Sequence, residues 1–223
     1  MEPREFALSR PQESILASNK VIRNTYTLLS MTLIFSGLMA FVAIMMQLSY
    51  GTALVADIVA IAMLWFVLPR TANSAAGIGV IFLVTGLFGV GLGPVINYYL
   101  EMPSGPTIVM TALSGTGVIF LALSGYALTT RKDFSFMGGF LMVGMFVVLL
   151  AALANIFLGM PALFLAVNAV IIMVMSGFIL YETSAIIHGG ETNYIMATAS
   201  LFLSLLNLFQ ALLYLLGAFS GDD

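Results

Sequence analysis

Two acidic side chains stand out because of what surrounds them. Asp57 sits in TALVADIVAIAMLWF, and Glu182 closes the run AVIIMVMSGFILYE, so each carboxyl group is carried by sequence otherwise fit for lipid. An ionisable group at the centre of a membrane span costs roughly 2.5–3.5 kcal/mol on insertion scales, so each such residue needs a reason. Asp57 lies about five residues inside its segment. It reads either as an interfacial carboxylate reaching the outer water or as a functional acid. Glu182 reads either as an interfacial acid that snorkels or as a bundle-facing acid that pairs or titrates, with Arg70 as candidate counter-ion. Ser200, Ser204 and Asn207 recur at i, i+4 and i+7 in a Leu/Phe-rich segment. That spacing is one helical face, and it must turn inward because a lipid-facing Asn finds no partner. The stripe is either interhelical glue or the wall of an ion or proton path.

Composition limits what else these residues can serve. The chain has 223 residues, 61% hydrophobic and 8% charged, with mean hydropathy +1.10. Soluble domains carry about 25% charged residues, so this is a polytopic membrane protein. With no cysteine and one histidine, thiolate zinc sites, thiol nucleophiles, iron–sulfur clusters and multi-imidazole sites are excluded. A net charge of −3 offers nothing to nucleic acid. No lysine follows Lys132, which removes a retinal Schiff base in the last helix. Ser114 and Ser124 each precede a glycine, but His188 falls about six residues beyond the expected end of the sixth helix, so a Ser–His protease pair is not expected. No catalytic residue, metal site or cofactor is assigned.

Seven apolar stretches of bilayer-spanning length must position these groups: Thr25–Gln47, Thr52–Leu68, Gly77–Tyr99, Pro106–Leu128, Phe136–Leu158, Pro161–Tyr181 and Tyr194–Leu216. Lengths near 17–25 residues without period-2 alternation predict membrane helices. The fold class is therefore all-α: a polytopic bundle of seven transmembrane helices over 25–217, preceded by a short mobile polar tail, 1–24, and followed by a short acidic end, 218–223. The tail has no compact apolar stretch with a cleavage site, so it is no signal peptide. Gly86, Gly89 and Gly93, followed by Pro94, predict a small-residue face and a break in the third helix. Asn155 and Asn168 are expected to bond between helices.

The basic residues fix an orientation. Arg4, Arg10, Lys20 and Arg23 in the tail, Arg70, Arg131 and Lys132 all fall on one side of the membrane, and the other side holds only Glu101 and Asp222–Asp223. The positive-inside bias places the N-terminus in the cytoplasm and the C-terminus outside.

The strings LGPVINYYL, TTRKDFSFMGGFL and YETSAIIHGGETNYIMATASLFLSLLNLF, on a seven-helix plan, resemble the Bax inhibitor 1 (TMBIM) family. ASNKVIRNTYTLLS, TTRKD and ETSAIIHGGETNYI are similar to its bacterial YccA branch. The resemblance implies a central seventh helix and a bacterial inner-membrane location. Two activities are implied. One is a proton-sensitive calcium leak in which an acidic pair shares a proton, calcium being the transported ion. Glu182 matches the first acid, whereas Ser204 stands at the second, so the coupled titration of a carboxyl pair is lost; Asn207, Arg70 and Asp57 are the other gate or proton-sensing candidates. The other is modulation of FtsH, the membrane-anchored AAA protease, together with its associated membrane factors. There the tail, with Arg4, Arg10 and Lys20, would be engaged while the bundle resists extraction, which is inhibition by occupancy without catalysis.

Overall fold

A computed structural model describes the backbone of residues 6–220 and the side chains of 19–220. Arg4 lies outside the described residues, and so does the side chain of Arg10. Seven helices are long and apolar enough to cross a membrane. In chain order they are α1 (Phe6–Met45, apolar from Asn19), α2 (Tyr50–Thr71), α3 (Ala75–Leu100), α4 (Gly105–Thr130), α5 (Met137–Leu158), α6 (Pro161–Ile187) and α7 (Tyr194–Ser220). The helical backbone already begins at Phe6, within the segment expected to be a mobile tail. The start of α1 and the α2–α3, α4–α5 and α6–α7 turns share one side of the bundle, here the tail side.

Several helix ends carry punctuation of known type. Ser49 caps α2, its hydroxyl accepting from Thr52 N–H at 3.3 Å. Pro106 and Pro161 occupy first turns, where no N–H is needed. Gly159 ends α5 at φ +60, a left-handed conformation that suits glycine, and so the chain reverses within two residues. Asn155 closes that reversal, its Oδ1 accepting from Met160 N–H at 3.1 Å.

Packing makes α7 the hub. It contacts α1, α3, α4 and α6, whereas α5 leans chiefly on α6. The main core accordingly gathers Leu201, Phe202, Leu205 and Leu208 of α7 with Ile81 and Val84 of α3 and Ile179 of α6. The small-residue face of α3 is present: Cβ atoms added at Gly86, Gly89 and Gly93 would run into Phe35, the Ser36 backbone and Ala43 of α1. These glycines let the two backbones approach, which is how helices associate where lipid is as apolar as leucine.

The expected break in α3 does not occur. The helix is continuous through Pro94, because contacts with α1 and α2 on either side hold it and membrane helices tolerate proline where neighbours support the chain. The irregularity lies in α2 instead, where Met63–Val67 form a π turn and Leu68 N–H donates to Met63 C=O. Pro69 follows directly; its ring would strike the carbonyl four residues back in a regular α turn, and widening that turn relieves the clash. The Arg70 guanidinium donates back to the Phe66 carbonyl.

Asn193 ties two tail-side turns together. Its Oδ1 accepts from Ile195 N–H (2.9 Å) and Met196 N–H (3.1 Å), capping α7, and its Nδ2 donates to Ala72 C=O (3.0 Å) and Asn73 Oδ1 (2.8 Å). Losing an N-cap costs about 0.5–2 kcal/mol, and the cross-turn bonds go with it. Asn193→Ala is therefore expected to lower the melting temperature in detergent clearly. Asn193→Asp, which keeps the cap but cannot donate to Ala72 C=O or Asn73 Oδ1, is expected to recover only part of the loss.

Candidate functional site

The tail-side ends of α1, α4, α6 and α7 converge on three consecutive polar residues of α6. Successive helical residues are rotated by about 100°, so Glu182, Thr183 and Ser184 address three different neighbours. Glu182 turns to α7, where Ser204 Oγ donates to its Oε2 at 3.1 Å. Thr183 turns to α1 and α4, its Oγ1 lying 3.1 Å from Tyr26 Oη and 3.5 Å from Ser124 Oγ. Ser184 turns to the α4–α5 turn, accepting from Phe134 N–H (2.9 Å) and donating to Lys132 C=O (3.3 Å). One tripeptide thus fastens α6 to most of its surroundings.

Beside this cluster, Thr198 Oγ1 lies 3.3 Å from Thr25 C=O and donates to Tyr194 C=O at 2.7 Å. The hydroxyl of Thr25 is buried without a hydrogen-bond partner. The tail-side half thus buries several hydroxyl groups and the Glu182 carboxyl group within its apolar core, in separate hydrogen-bonded sets. It contains no nucleophile–base pair. Ser184 Oγ does lie 3.3 Å from His188 Nδ1, but Nδ1 lies closer, 2.9 Å, to Ser184 C=O. That carbonyl can only accept, so this nitrogen carries the proton and is no base for the hydroxyl; Ser124 meets Thr183 instead. Among the described residues no group of three or more His, Asp or Glu comes together to hold a metal ion.

The remaining sequence candidates separate. Arg70 is exposed and directed to Phe66, not to Glu182. Asn207 is half-buried one turn beyond Ser204, and its Nδ2 donates to Leu203 C=O of its own helix at 2.8 Å. Ser200 lines a separate cleft with Trp65 and Phe66. Asp57 is half-buried in the opposite half of the bundle, its carboxylate lying over Gly91 of α3 so closely that a Cβ there would collide with it. Lys20 is exposed at the tail side.

Two sequence expectations fail for a shared reason. Asn168 bonds Phe164 C=O of its own helix and Asn155 caps its own helix end, so neither bridges helices. Short amides satisfy themselves on the nearest backbone group, here a carbonyl for Asn168 and an N–H for Asn155. His188 is also not remote from α6, because that helix runs on to Ile187. Tyr26 and Thr183 were not foreseen. Their signal was the unbroken polar run after an apolar span, which only a buried helix end explains.

Asp133 lies in the exposed α4–α5 turn, outside the spans. Its carboxyl is held below the usual carboxylate range, chiefly by the Ser135 backbone N–H, then by the Ser135 side chain, with His188 adding a little. A lowered folded-state pKa stabilises above the ordinary value, and that contribution is lost as pH falls through the lowered one. Asp133→Asn keeps an acceptor but no charge. The gap in melting temperature between the two proteins is expected to shrink on acidification below about pH 4, read from paired melts across that range.

Comparison with known proteins decides the family. Residues 18–221 match the family described as "Inhibitor of apoptosis-promoting Bax1". The chain belongs to the Bax inhibitor 1 family. An Escherichia coli protein named "Modulator of FtsH protease YccA" is 50% identical over 214 residues, covering 96% of this chain and 97% of that one. An uncharacterized membrane protein of Vibrio cholerae is 47% identical over 218 residues, 98% of each chain. An uncharacterized protein of Pseudomonas aeruginosa is 44% identical over 223 residues, all of both. This Bax inhibitor 1 family member is thus a seven-helix membrane protein with relatives across several bacteria, and its Glu182–Ser204 contact joins α6 to the central α7.

Proposed function

We propose that this chain is a bacterial inner-membrane protein that binds FtsH and modulates it by occupying it. The observation that carries the reading is the 50% identity, over 96% of the chain, to a protein named as a modulator of that protease. Physical features support it. Lys20, Arg23, Arg70, Arg131 and Lys132 lie on the tail side, and Arg4 and Arg10 precede them in the sequence, which favours a cytoplasmic N-terminus and an outer C-terminus. FtsH draws substrates from the cytoplasm, so the polar tail is the handle, with Arg4, Arg10 and Lys20 in it. Behind the handle stands a bundle whose α1–α3 contact is close-packed and whose α6 end is fastened to its neighbours. Such a body yields slowly to pulling. Epitope-tagged chain purified from native membranes is expected to bring FtsH and its associated membrane factors with it, and chain lacking the residues before Lys20 is not. Equal recovery of FtsH with both would overturn tail engagement.

A second reading rests on a different observation, the Glu182 carboxylate held by Ser204 of the central helix. A cation leak gated by movement of α7, with calcium as the carried ion, would use that contact. Glu182→Gln is then expected to change ion flux in reconstituted liposomes while leaving recovery of FtsH intact. Flux that ignores both this substitution and pH would exclude the gate.

A further inference from the structure

α1 and α4 both pack on α7 but leave a cleft between them, in the half of the membrane away from the tail side. The cleft has a volume of about 440 Å³, within the range of roughly 300–1,000 Å³ typical of pockets that bury small molecules. Its wall is almost wholly apolar. It runs from Leu33 to Ile44 along α1, and its floor is Phe202, Leu205 and Phe209 of α7. The hydroxyl of Thr116 in the wall is already spent on Ala112 C=O at 2.8 Å. Water has too few polar partners to settle there.

Two glycines show that this space is not a packing accident of small residues meeting. Gly37 on α1 and Gly117 on α4 both line the cleft, and a Cβ at either would meet nothing within 4 Å. On α3, by contrast, Gly86, Gly89 and Gly93 are occupied against α1. The absent side chains at Gly37 and Gly117 therefore widen the cleft rather than bring helices together.

The surface around the mouth identifies the occupant. Ile34, Leu38 and Phe41 of α1 and Val118 and Leu121 of α4 are exposed on spans that can face only hydrocarbon, so the cleft continues the bilayer-facing surface. Its length agrees. From Leu33 to Ile44 is about 16 Å at ~1.5 Å per residue, close to half of the ~30 Å hydrocarbon thickness. An unfilled apolar wall forfeits dispersion contacts that a chain would supply. We infer that the α1–α4 cleft binds one acyl chain of a phospholipid from the adjoining leaflet and seats it on the central helix. The site is independent of the protease reading, and it makes α7 sensitive to the lipid around it.

The floor gives a selective readout, because Phe202 and Leu205 are buried and lipid can reach them only through the cleft. The protein is reconstituted in phosphatidylethanolamine–phosphatidylglycerol vesicles containing phosphatidylcholine with a diazirine at the end of one acyl chain. After photolysis, mass spectrometry that assigns label to single residues is expected to find it on the floor residues Phe202, Leu205 and Phe209 of α7 as well as on the exposed faces carrying Ile34 and Leu121. In the Gly37→Leu/Gly117→Leu protein, label on Phe202, Leu205 and Phe209 is expected to be lost while label on the exposed faces persists. The milder Gly37→Ala/Gly117→Ala pair, expected to reduce it, serves if the larger side chains impair folding. No label on these floor residues in the unaltered protein, or floor label unchanged when the cleft is filled, would overturn the proposal.

Discussion

Gly89→Leu is expected to prevent recovery of a folded, monodisperse protein in detergent. The atom that a side chain at Gly89 would strike is the carbonyl oxygen of Ser36, part of the α1 backbone, which cannot rotate aside as a side chain would. To make room, α1 and α3 must separate, and the neighbouring contacts of Gly86 with Phe35 and Gly93 with Ala43 part with them. Overpacking by a few methylenes costs about 1–3 kcal/mol, occasionally more, and here a whole helix pair is displaced. That is a large share of the roughly 5–15 kcal/mol that holds a typical protein folded. Gly79→Leu, on the same helix with nothing within 4 Å of its Cβ position, is the control and is expected to be tolerated. Size-exclusion profiles and melting curves of the two variants decide the matter. Similar behaviour would mean that the α1–α3 approach is not what the glycines serve.

Removing the residues before Lys20 is expected to abolish protease modulation and to leave the bundle intact. The apolar part of α1 begins at Asn19, so the deletion trims only the first residue of that span and leaves the others in place, along with the hydrogen bonds of Tyr26 and Thr25 to α6 and α7. The deleted segment holds Arg4 and Arg10 together with Glu2, Glu5 and Glu13. The melting temperature of the shortened chain should therefore stay near that of the full one, separating loss of engagement from loss of fold. Unchanged modulation by a folded, shortened chain would move the engaged surface from the tail to the bundle.

The helices were legible in the sequence because span length and mean hydropathy leave little choice: each of the seven expected stretches is a helix, with most ends shifted by a few residues, although α1 starts far upstream at Phe6. The glycine face of α3 was legible too, since its spacing is a packing pattern. The fate of Pro94 was not. Whether a proline breaks a membrane helix depends on the neighbours that hold the chain around it, and these are tertiary facts. The π turn of α2 escaped for the same reason, although Pro69 in its position after WFVL was the available clue. At the candidate site, Glu182 and Ser204 could be paired on paper through the family resemblance, and they lie 3.1 Å apart. Arg70 could not be placed from spacing alone, because its long side chain turns back to a carbonyl one turn earlier in its own helix, that of Phe66. The asparagines misled in the same way: their types fit interhelical bonds, but local carbonyls lay closer.

Occupancy of the protease is the central claim, and one rate tests it. FtsH is reconstituted in proteoliposomes with a fluorescent, short-lived membrane substrate, and degradation is followed as the full-length chain is added. Substrate degradation should slow in step with the fraction of FtsH bound, with the added chain itself consumed more slowly than the substrate. A substrate rate that stays constant at saturating chain would contradict modulation by occupancy.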